Sequence, residues 1–211
     1  MIFRDRVEAG KQLAVSLDFL RGESGAIVLG IPRGGVVVAA EVAATLGLPL
    51  DVWVSRKIGA PGNPEFAIGS VAETGEAELD GAAIRALGVS SDYLAMEIAA
   101  QRAEIVRRLR QYRGMRPPLE LEGKTVVLVD DGLATGATAR AALKSLRTQN
   151  PARLFLAVPV APISAEADLA EEADRIIVLH TPIGFSAVGG FYESFAQVTD
   201  EEVIALMERG R

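Results

Sequence analysis

The composition of this 211-residue chain excludes several classes of protein. It holds no cysteine and one histidine, which excludes a disulfide framework, a thiolate metal site, a cysteine nucleophile and a His-rich zinc site. The net charge of −6 disfavours a nucleic-acid-binding surface, and no apolar run approaches the roughly 18 residues that a membrane span requires.

The length fits one α/β domain over residues 1–211, with a small appended segment. Mean hydropathy is +0.25, which is compatible with a sizeable apolar core. The first eight residues lack the apolar core and small-residue cleavage site of a secretion signal. We therefore expect a cytoplasmic protein that binds neither nucleic acid nor membranes.

Hydrophobic periodicity in the first part of the chain alternates between the helical and the extended pattern. The predicted elements are, in order, an amphipathic helix over 3–20, a strand over 26–30, a buried helix over 36–46, a strand over 51–55, an irregular loop over 59–66 and a hairpin over 67–72 and 77–79. The loop is predicted because residues 59–66 include two glycines and two prolines. We expect this loop to be mobile.

The second part continues the alternation. The predicted elements are a long helix over 91–114, a strand over 126–129, a helix ending at 150, a strand over 154–159, a helix over 165–173, a strand over 175–179 and a helix over 200–208. We expect the arginines in and just after the long helix to lie on a solvated or subunit-contact face. The alternation predicts a parallel sheet covered by helices on both faces, with ligand sites at the carboxyl ends of its strands.

The most informative run is VVLVDDGLATGAT, residues 126–138. Asp130 and Asp131 follow a buried strand directly, and residues 135–138 then open a helix whose first turn carries no acid. The free N–H groups and partial positive charge of a helix N-terminus favour a phosphate, whereas the two carboxylates can accept hydrogen bonds from vicinal ribose hydroxyls. The run indicates a ribose 5-phosphate site; an ordinary strand, turn and capped helix is the alternative.

Two common phosphate-binding motifs are absent. A Walker loop needs four residues between its glycines and then a lysine, but Gly132 and Gly136 enclose three residues and are followed by Ala137. No Gly-x-Gly-x-x-Gly fingerprint occurs.

The run resembles the signature of the type I phosphoribosyltransferases, which use phosphoribosyl diphosphate (PRPP). The resemblance implies their fold, a parallel sheet flanked by helices on both faces with a flexible-loop hairpin and a small C-terminal hood. It implies that Asp130 and Asp131 act at the ribose during catalysis, and that Mg²⁺ binds through PRPP with help from these two carboxylates. The loop that would bind the 5-phosphate consists of Ala134, Thr135, Gly136, Ala137 and Thr138.

A second loop joins the first predicted strand to its helix. Its backbone N–H groups and the side chain of Arg33 could hold an anion, and Gly34 and Gly35 permit close backbone approach. In the resembled family this loop binds pyrophosphate and often contains a cis peptide bond. The resemblance therefore assigns Arg33, Gly34 and Gly35 to the pyrophosphate.

Arg56 and Lys57 follow the second predicted strand. Adenine and orotate phosphoribosyltransferases have a similar pair before their flexible catalytic loop, where it reaches the diphosphate, sometimes across a dimer. The resemblance implies that Arg56 and Lys57 are catalytic diphosphate ligands and that residues 58–66 form a lid that excludes water. An ordinary solvated strand end is the alternative.

Residues 180–195, which we term the hood, mix aromatic residues with glycines. Purine phosphoribosyltransferases stack the base on a similar stretch, so Phe185 and Val188 are assigned to the base. Here Phe185 and Gly189 are one residue further apart than in that pattern, and no Asp precedes Tyr192. The alternative is that the aromatic side chains only pack a small flap.

Ala134 stands where 6-oxopurine enzymes have an Asp that assists at the base, which disfavours hypoxanthine and guanine as acceptors. The predicted function is transfer of the phosphoribosyl group from PRPP to a nitrogen acceptor, expected to be a nucleobase, with release of pyrophosphate in nucleotide salvage. A homodimer or higher homo-oligomer is expected. The alternatives are a non-catalytic regulator of this fold that binds PRPP or a nucleotide, and a sugar-phosphate enzyme of unrelated fold.

Overall fold

The computed structural model describes residues 2–209 and contains two β-sheets. The strands are β1 (Ala26–Gly30), β2 (Leu50–Val52), β3 (Arg56–Ala60), β4 (Asn63–Val71), β5 (Ala77–Leu79), β6 (Thr125–Val129), β7 (Arg153–Val160) and β8 (Arg175–His180). The α-helices are α1 (Arg6–Ser16), α2 (Gly34–Leu46), α3 (Gly81–Leu87), α4 (Ser91–Arg113), α5 (Ala137–Arg147), α6 (Ala165–Leu169) and α7 (Asp200–Arg209).

The larger sheet is parallel and has the strand order β2-β1-β6-β7-β8. Neighbouring residues of β6 face opposite sides of this sheet. Val127 and Val129 pack in a core with α1, α2 and α7, whereas Val126 and Leu128 pack in a second core with α5. Because both faces are covered, residues 126–129 of the strand are apolar without alternation. The predicted parallel sheet between two helical layers is confirmed.

The prediction of an irregular loop over residues 59–66 is wrong. β3 and β4 form an antiparallel hairpin whose turn is Pro61 and Gly62, and β5 completes a three-stranded sheet. Gly59 lies so close to Pro64 that a Cβ atom there would be 2.7 Å from the Pro64 Cα atom. The pairing shifts register on both sides of Gly59. A bulge and a turn therefore absorb the glycines and prolines that suggested irregularity.

Other element boundaries also differ from prediction. β2 ends at Val52 instead of residue 55, α6 ends at Leu169 instead of 173, and a separate 3-10 helix (Asp18–Leu20) follows α1. α3 was not predicted; it has only seven residues, none of which is fully buried. Within residues 2–209, no helix is both long enough and apolar enough to cross a membrane.

A buried group of charges joins the two sheets. The Arg113 guanidinium donates to Asp51 Oδ1 at 2.7 Å in β2 and to Glu73 Oε1 at 2.6 Å in the β4–β5 turn. The arginine side chain is only 5% exposed, so its assignment to a solvated or subunit-contact face is wrong. Burial raises the pKa of Glu73, although the charge of Arg113 opposes this shift. The small sheet is thus held to β2 through the end of α4.

Replacing Arg113 with alanine should reduce the free energy of unfolding by about 3–5 kcal/mol, because it removes the buried cation that joins two buried carboxylates. Denaturant unfolding measures the loss. Arg110→Ala, one turn earlier on an exposed position of α4, is the matched control and should change stability by less than about 0.5 kcal/mol. Equal effects of the two substitutions would contradict the structural role of Arg113.

Candidate active site

Two acids and two glycines meet at the carboxyl edge of the larger sheet. Asp130 and Asp131 follow β6, and Gly34 and Gly35 begin the helix that follows the neighbouring strand β1. A Cβ atom on Gly34 would lie 2.0 Å from Asp131 Oδ2, and one on Gly35 would lie 2.8 Å from Asp130 Oδ1. The glycine loop therefore lies directly against both carboxylates, and neither position has room for a side chain.

Arg33 extends from this loop towards the C-terminal helix. The Pro32–Arg33 peptide bond is cis. Arg33 Nη1 lies 3.9 Å from Asp200 Oδ1 at the start of α7, and the Tyr112 hydroxyl donates to the same Asp200 oxygen at 2.5 Å. Burial, followed by the Asp200 hydrogen bond, raises the pKa of Tyr112 to about 12. The Arg33 side chain is about one-third exposed, and its guanidinium faces an acidic partner.

The predicted phosphate loop lies after the acids and ends at the N-terminus of α5. Gly136 adopts a left-handed conformation, with φ of 71°, and no side chain caps the helix. Thr135 and Thr138 are exposed, and the Thr135 hydroxyl accepts a long hydrogen bond, 3.4 Å, from the Ala137 N–H. The first turn of α5 contains no acid, and its last turn contains Lys144 and Arg147. This charge distribution suits an anion at the N-terminus.

Burial makes ionisation of the acidic pair costly. It raises the pKa of Asp130 well above its ordinary value, and the adjacent Asp131 charge adds to the shift. Burial also raises the pKa of Asp131, but a hydrogen bond from Arg6 opposes this shift. The Asp131 N–H donates to Asp130 Oδ1 at 2.8 Å. Cationic ligands and hydroxyl donors are therefore favoured at this edge.

Two residues that hold Asp131 were missed by the sequence analysis. Arg6 Nε donates to Asp131 Oδ2 at 2.8 Å, and the Tyr192 hydroxyl donates to the Asp131 carbonyl at 2.6 Å. Burial is the largest cause of the raised pKa of Tyr192. The signal available in the sequence was an arginine within a predicted amphipathic helix, but nothing in the sequence indicated a partner 125 residues away.

Arg56 and Lys57 point to opposite faces of the small sheet. Arg56 Nε donates to Gln101 Oε1 at 2.9 Å on α4, and burial lowers the pKa of Arg56. Lys57 pairs with Ser70 of β4, on the face that lies towards α5. An open cleft of about 510 Å³ lies on that side, between β4, β5 and the start of α5, and includes Thr135 and Ser70 in its lining. The described contacts thus place Arg56 against α4 and not against the acidic pair.

The hood contains a short 3-10 helix (Val188–Phe191) and a small aromatic cluster. The rings of Phe185 and Phe191 are stacked, with centroids 5.4 Å apart. Val188 packs over Gly132, where a Cβ atom would be 2.6 Å from Val188 Cγ1. The Phe185 ring thus already packs against Phe191, whereas Val188 lies beside Gly132, shortly before the predicted phosphate loop. Their contact with a base remains a prediction.

The donors available to a metal ion are few. Among residues 2–209, no group of three or more His, Cys, Asp or Glu side chains is arranged to hold a metal ion. Mg²⁺ characteristically binds one or two carboxylates together with substrate phosphates. Asp130 and Asp131 fit that mode, in which the substrate supplies the remaining oxygens.

Comparison with known proteins establishes the family. Residues 4–188 match the model of the phosphoribosyl transferase domain. The chain therefore belongs to the phosphoribosyl transferase family, as the signature run suggested.

The relatives extend this result over the whole chain. The chain is 43% identical over 210 residues to "Putative phosphoribosyl transferase Rv0571c" of Mycobacterium tuberculosis, covering 99% of this chain and 47% of that protein. The chain thus spans about half the length of the curated relatives it matches. TT1426 from Thermus thermophilus is 48% identical, with a TM-score of 0.87 and 99% coverage of both chains. A hypothetical protein from Neisseria gonorrhoeae with bound ppGpp shares the fold, at 17% identity and a TM-score of 0.52 over 100% of this chain and 99% of that chain.

Asp130→Asn should stabilise the fold at neutral pH, because it removes a charge that burial and Asp131 disfavour while retaining an oxygen for the Asp131 N–H. The folded-state pKa of Asp130 lies above the unfolded value, so its ionisation costs stability above the folded-state pKa and costs nothing below the unfolded value. We expect the melting temperature to rise by about 2–4 °C at pH 7, which corresponds to roughly 1 kcal/mol in a domain of this size.

The gain should shrink as the pH falls and vanish below about pH 4, where the carboxyl is protonated in both states. Thermal melts of the wild type and the variant from pH 4 to 8 measure this dependence. A gain that is constant with pH would show that ionisation of Asp130 is not its cause.

Proposed function

We propose that the protein transfers the 5-phosphoribosyl group from PRPP to a nitrogen acceptor, expected to be a nucleobase, and releases pyrophosphate. The observation that carries this proposal is the contact of Gly34 and Gly35 with the carboxylates of Asp130 and Asp131. A ribose bound at the acids then has its C1 substituent beside a loop of backbone N–H groups. Its 5-phosphate extends along the phosphate loop to the start of α5.

Each part of PRPP then has its own group of residues. Asp130 and Asp131 accept hydrogen bonds from the ribose hydroxyls. The 5-phosphate binds residues 134–138, and the diphosphate binds Arg33 and the N–H groups of Gly34 and Gly35. Lys57 reaches the diphosphate from the small sheet. For Arg56 to take the same role, its guanidinium must leave Gln101, so we assign it to the diphosphate only in the substrate-bound protein.

Mg²⁺ fits this arrangement because its carboxylate donors lie beside the proposed diphosphate loop. Bound Mg²⁺ would neutralise charge on the leaving diphosphate. Asp130 and Asp131 would hold it together with the oxygens of PRPP.

The chain contributes to the reaction mainly through electrostatics. The C1–O bond to the diphosphate breaks, a C1–N bond to the acceptor forms, and the acceptor nitrogen gives up its proton, which leaves with the pyrophosphate or to water. As the first bond breaks, positive charge develops on the sugar, and the carboxylates at the ribose stabilise it. Arg33 and Lys57 stabilise the negative charge that collects on the leaving group. The β3–β4 hairpin replaces the expected loop as the element that excludes water.

We infer the class of acceptor from the residues in and beside the phosphate loop. Ala134 stands where 6-oxopurine enzymes have an Asp that assists at the base, so we expect hypoxanthine and guanine to be poor acceptors. Val188 and Phe185 would contact the base from the hood. We further propose a cytoplasmic, homo-oligomeric protein of nucleotide salvage.

Pyrophosphate release by the purified chain with PRPP, Mg²⁺ and a panel of adenine, hypoxanthine, guanine, xanthine, uracil and orotate tests the proposal. We expect release with at least one base other than hypoxanthine or guanine, and loss of release when Asp130 and Asp131 are both changed to Asn. No release with any base would count against transferase activity. If calorimetry then shows that PRPP binds without turnover, the regulator alternative is favoured.

Gly34→Ala should weaken PRPP binding by about a hundredfold, because the added Cβ must displace either the loop or the Asp131 carboxylate. Calorimetry with PRPP and Mg²⁺ measures the change. Gly190→Ala is the matched control: an added Cβ there meets nothing within 4 Å, so affinity should stay at the wild-type value. Wild-type affinity in Gly34→Ala would contradict the location of the diphosphate site.

A further inference from the structure

The ion pair between Arg6 and Asp131 lies inside the proposed PRPP site. Arg6 is the first residue of α1, and its Nε donates to Asp131 Oδ2 at 2.8 Å. The two side chains are only 11% and 16% exposed. A Cβ on Gly34 would lie 2.9 Å from Arg6 Nε as well as 2.0 Å from Asp131 Oδ2. The ion pair therefore lies where the two acids proposed to bind the ribose, Asp130 and Asp131, approach the glycine loop proposed to bind the diphosphate.

The Arg6 guanidinium is itself held in a fixed orientation. Its Nη1 donates to the Ala196 carbonyl at 2.8 Å, and its Cζ lies 3.8 Å from the centre of the Phe195 ring. These contacts use the planar fork and the flat face of the group, which lysine cannot reproduce. The arginine thus meets Asp131 from one defined direction.

Backbone hydrogen bonds join the chain segment around Arg6 to the hood. The Phe3 N–H donates to the Phe191 carbonyl at 2.8 Å, and the Glu193 N–H donates to the Phe3 carbonyl at 2.8 Å. Tyr192, between these two hood residues, donates its hydroxyl to the Asp131 carbonyl. The same paired segments therefore fix Asp131 at both its carboxylate and its backbone.

We infer that Arg6 is a positioning residue for PRPP: it holds Asp131 by Oδ2 and so directs the Oδ1 side of the carboxylate towards the ribose hydroxyls. This inference rests on the proposed function. Arg6 acts on the ribose through Asp131 and has no part in holding the diphosphate. Loss of Arg6 should therefore weaken ligands that contain the ribose and spare those that do not.

Calorimetry with two probes, Mg²⁺–PRPP and Mg²⁺–pyrophosphate, separates these effects. Arg6→Gln should weaken PRPP by about ten- to a hundredfold, as expected for loss of a charge-assisted hydrogen bond, and change pyrophosphate affinity less than twofold. Arg6→Lys should recover part of the PRPP affinity. Arg4→Gln, which changes an exposed arginine of the same segment, is the matched control and should bind both probes as the wild type does.

A double-mutant cycle tests whether Arg6 acts through Asp131. In an Asp131→Ala background, which leaves Arg6 no side-chain acceptor at this position, Arg6→Gln should change PRPP affinity less than twofold. Phe195→Leu leaves the ion pair in place but removes the ring beneath the guanidinium, so it should weaken PRPP by about three- to tenfold and spare pyrophosphate. This second variant keeps the test decisive if Arg6→Gln does not fold.

The outcomes separate the inference from the proposed function. A wild-type chain that does not bind PRPP overturns both. If the wild type binds PRPP, the inference alone is overturned by any of three results: Arg6→Gln matches the wild type, it loses both probes equally, or it has its full effect without Asp131. If Arg6→Gln does not fold, unchanged PRPP affinity in Phe195→Leu overturns the inference.

Discussion

The close approach of a glycine loop to two carboxylates is the constraint on which the rest of the site depends. β1 and β6 are neighbouring parallel strands, and Gly30 pairs with Val129, so the segments that follow them leave the sheet at the same level. α2 can begin there only because Gly34 and Gly35 have no Cβ atoms to meet Asp131 and Asp130. The two acids, which would otherwise lie at an open sheet edge, therefore face the backbone N–H groups of the glycine loop.

This arrangement has an electrostatic cost that the protein offsets only in part. Burial and mutual repulsion disfavour ionisation of the pair, and the Arg6 guanidinium together with the Asp131 N–H compensates from within the chain. Groups with strongly perturbed pKa values cluster at functional sites. A ligand that supplies hydroxyl donors or a cation can offset the rest of this electrostatic cost.

The small sheet depends on a different set of charges. Arg113 joins Asp51 of the larger sheet to Glu73 of the β4–β5 turn. With the sheet held at this end, Arg56 packs on α4 and Lys57 lies on the α5 side. A buried ion pair is costly to break once formed, so the small sheet keeps its place beside residues 134–138. Arg113 therefore helps to hold the sheet that carries Lys57.

The sequence by itself determined the elements whose signal is local. Three features can be recognised from neighbouring residues alone: the apolar run before Asp130, the acid-free start of α5 and the glycines after Arg33. The parallel sheet, its two helical layers and the family were therefore predictable.

Pairing between distant segments was decided only by the tertiary structure. Residues 59–66 form a hairpin because Gly59 can lie against Pro64, and Arg6 binds Asp131 because the N-terminal segment pairs with the hood. Arg113 is buried although other arginines of the same helix are exposed, since its partners lie 62 and 40 residues away. Such contacts depend on which surfaces pack together in the folded chain. The residues next to each position in the sequence do not indicate those contacts.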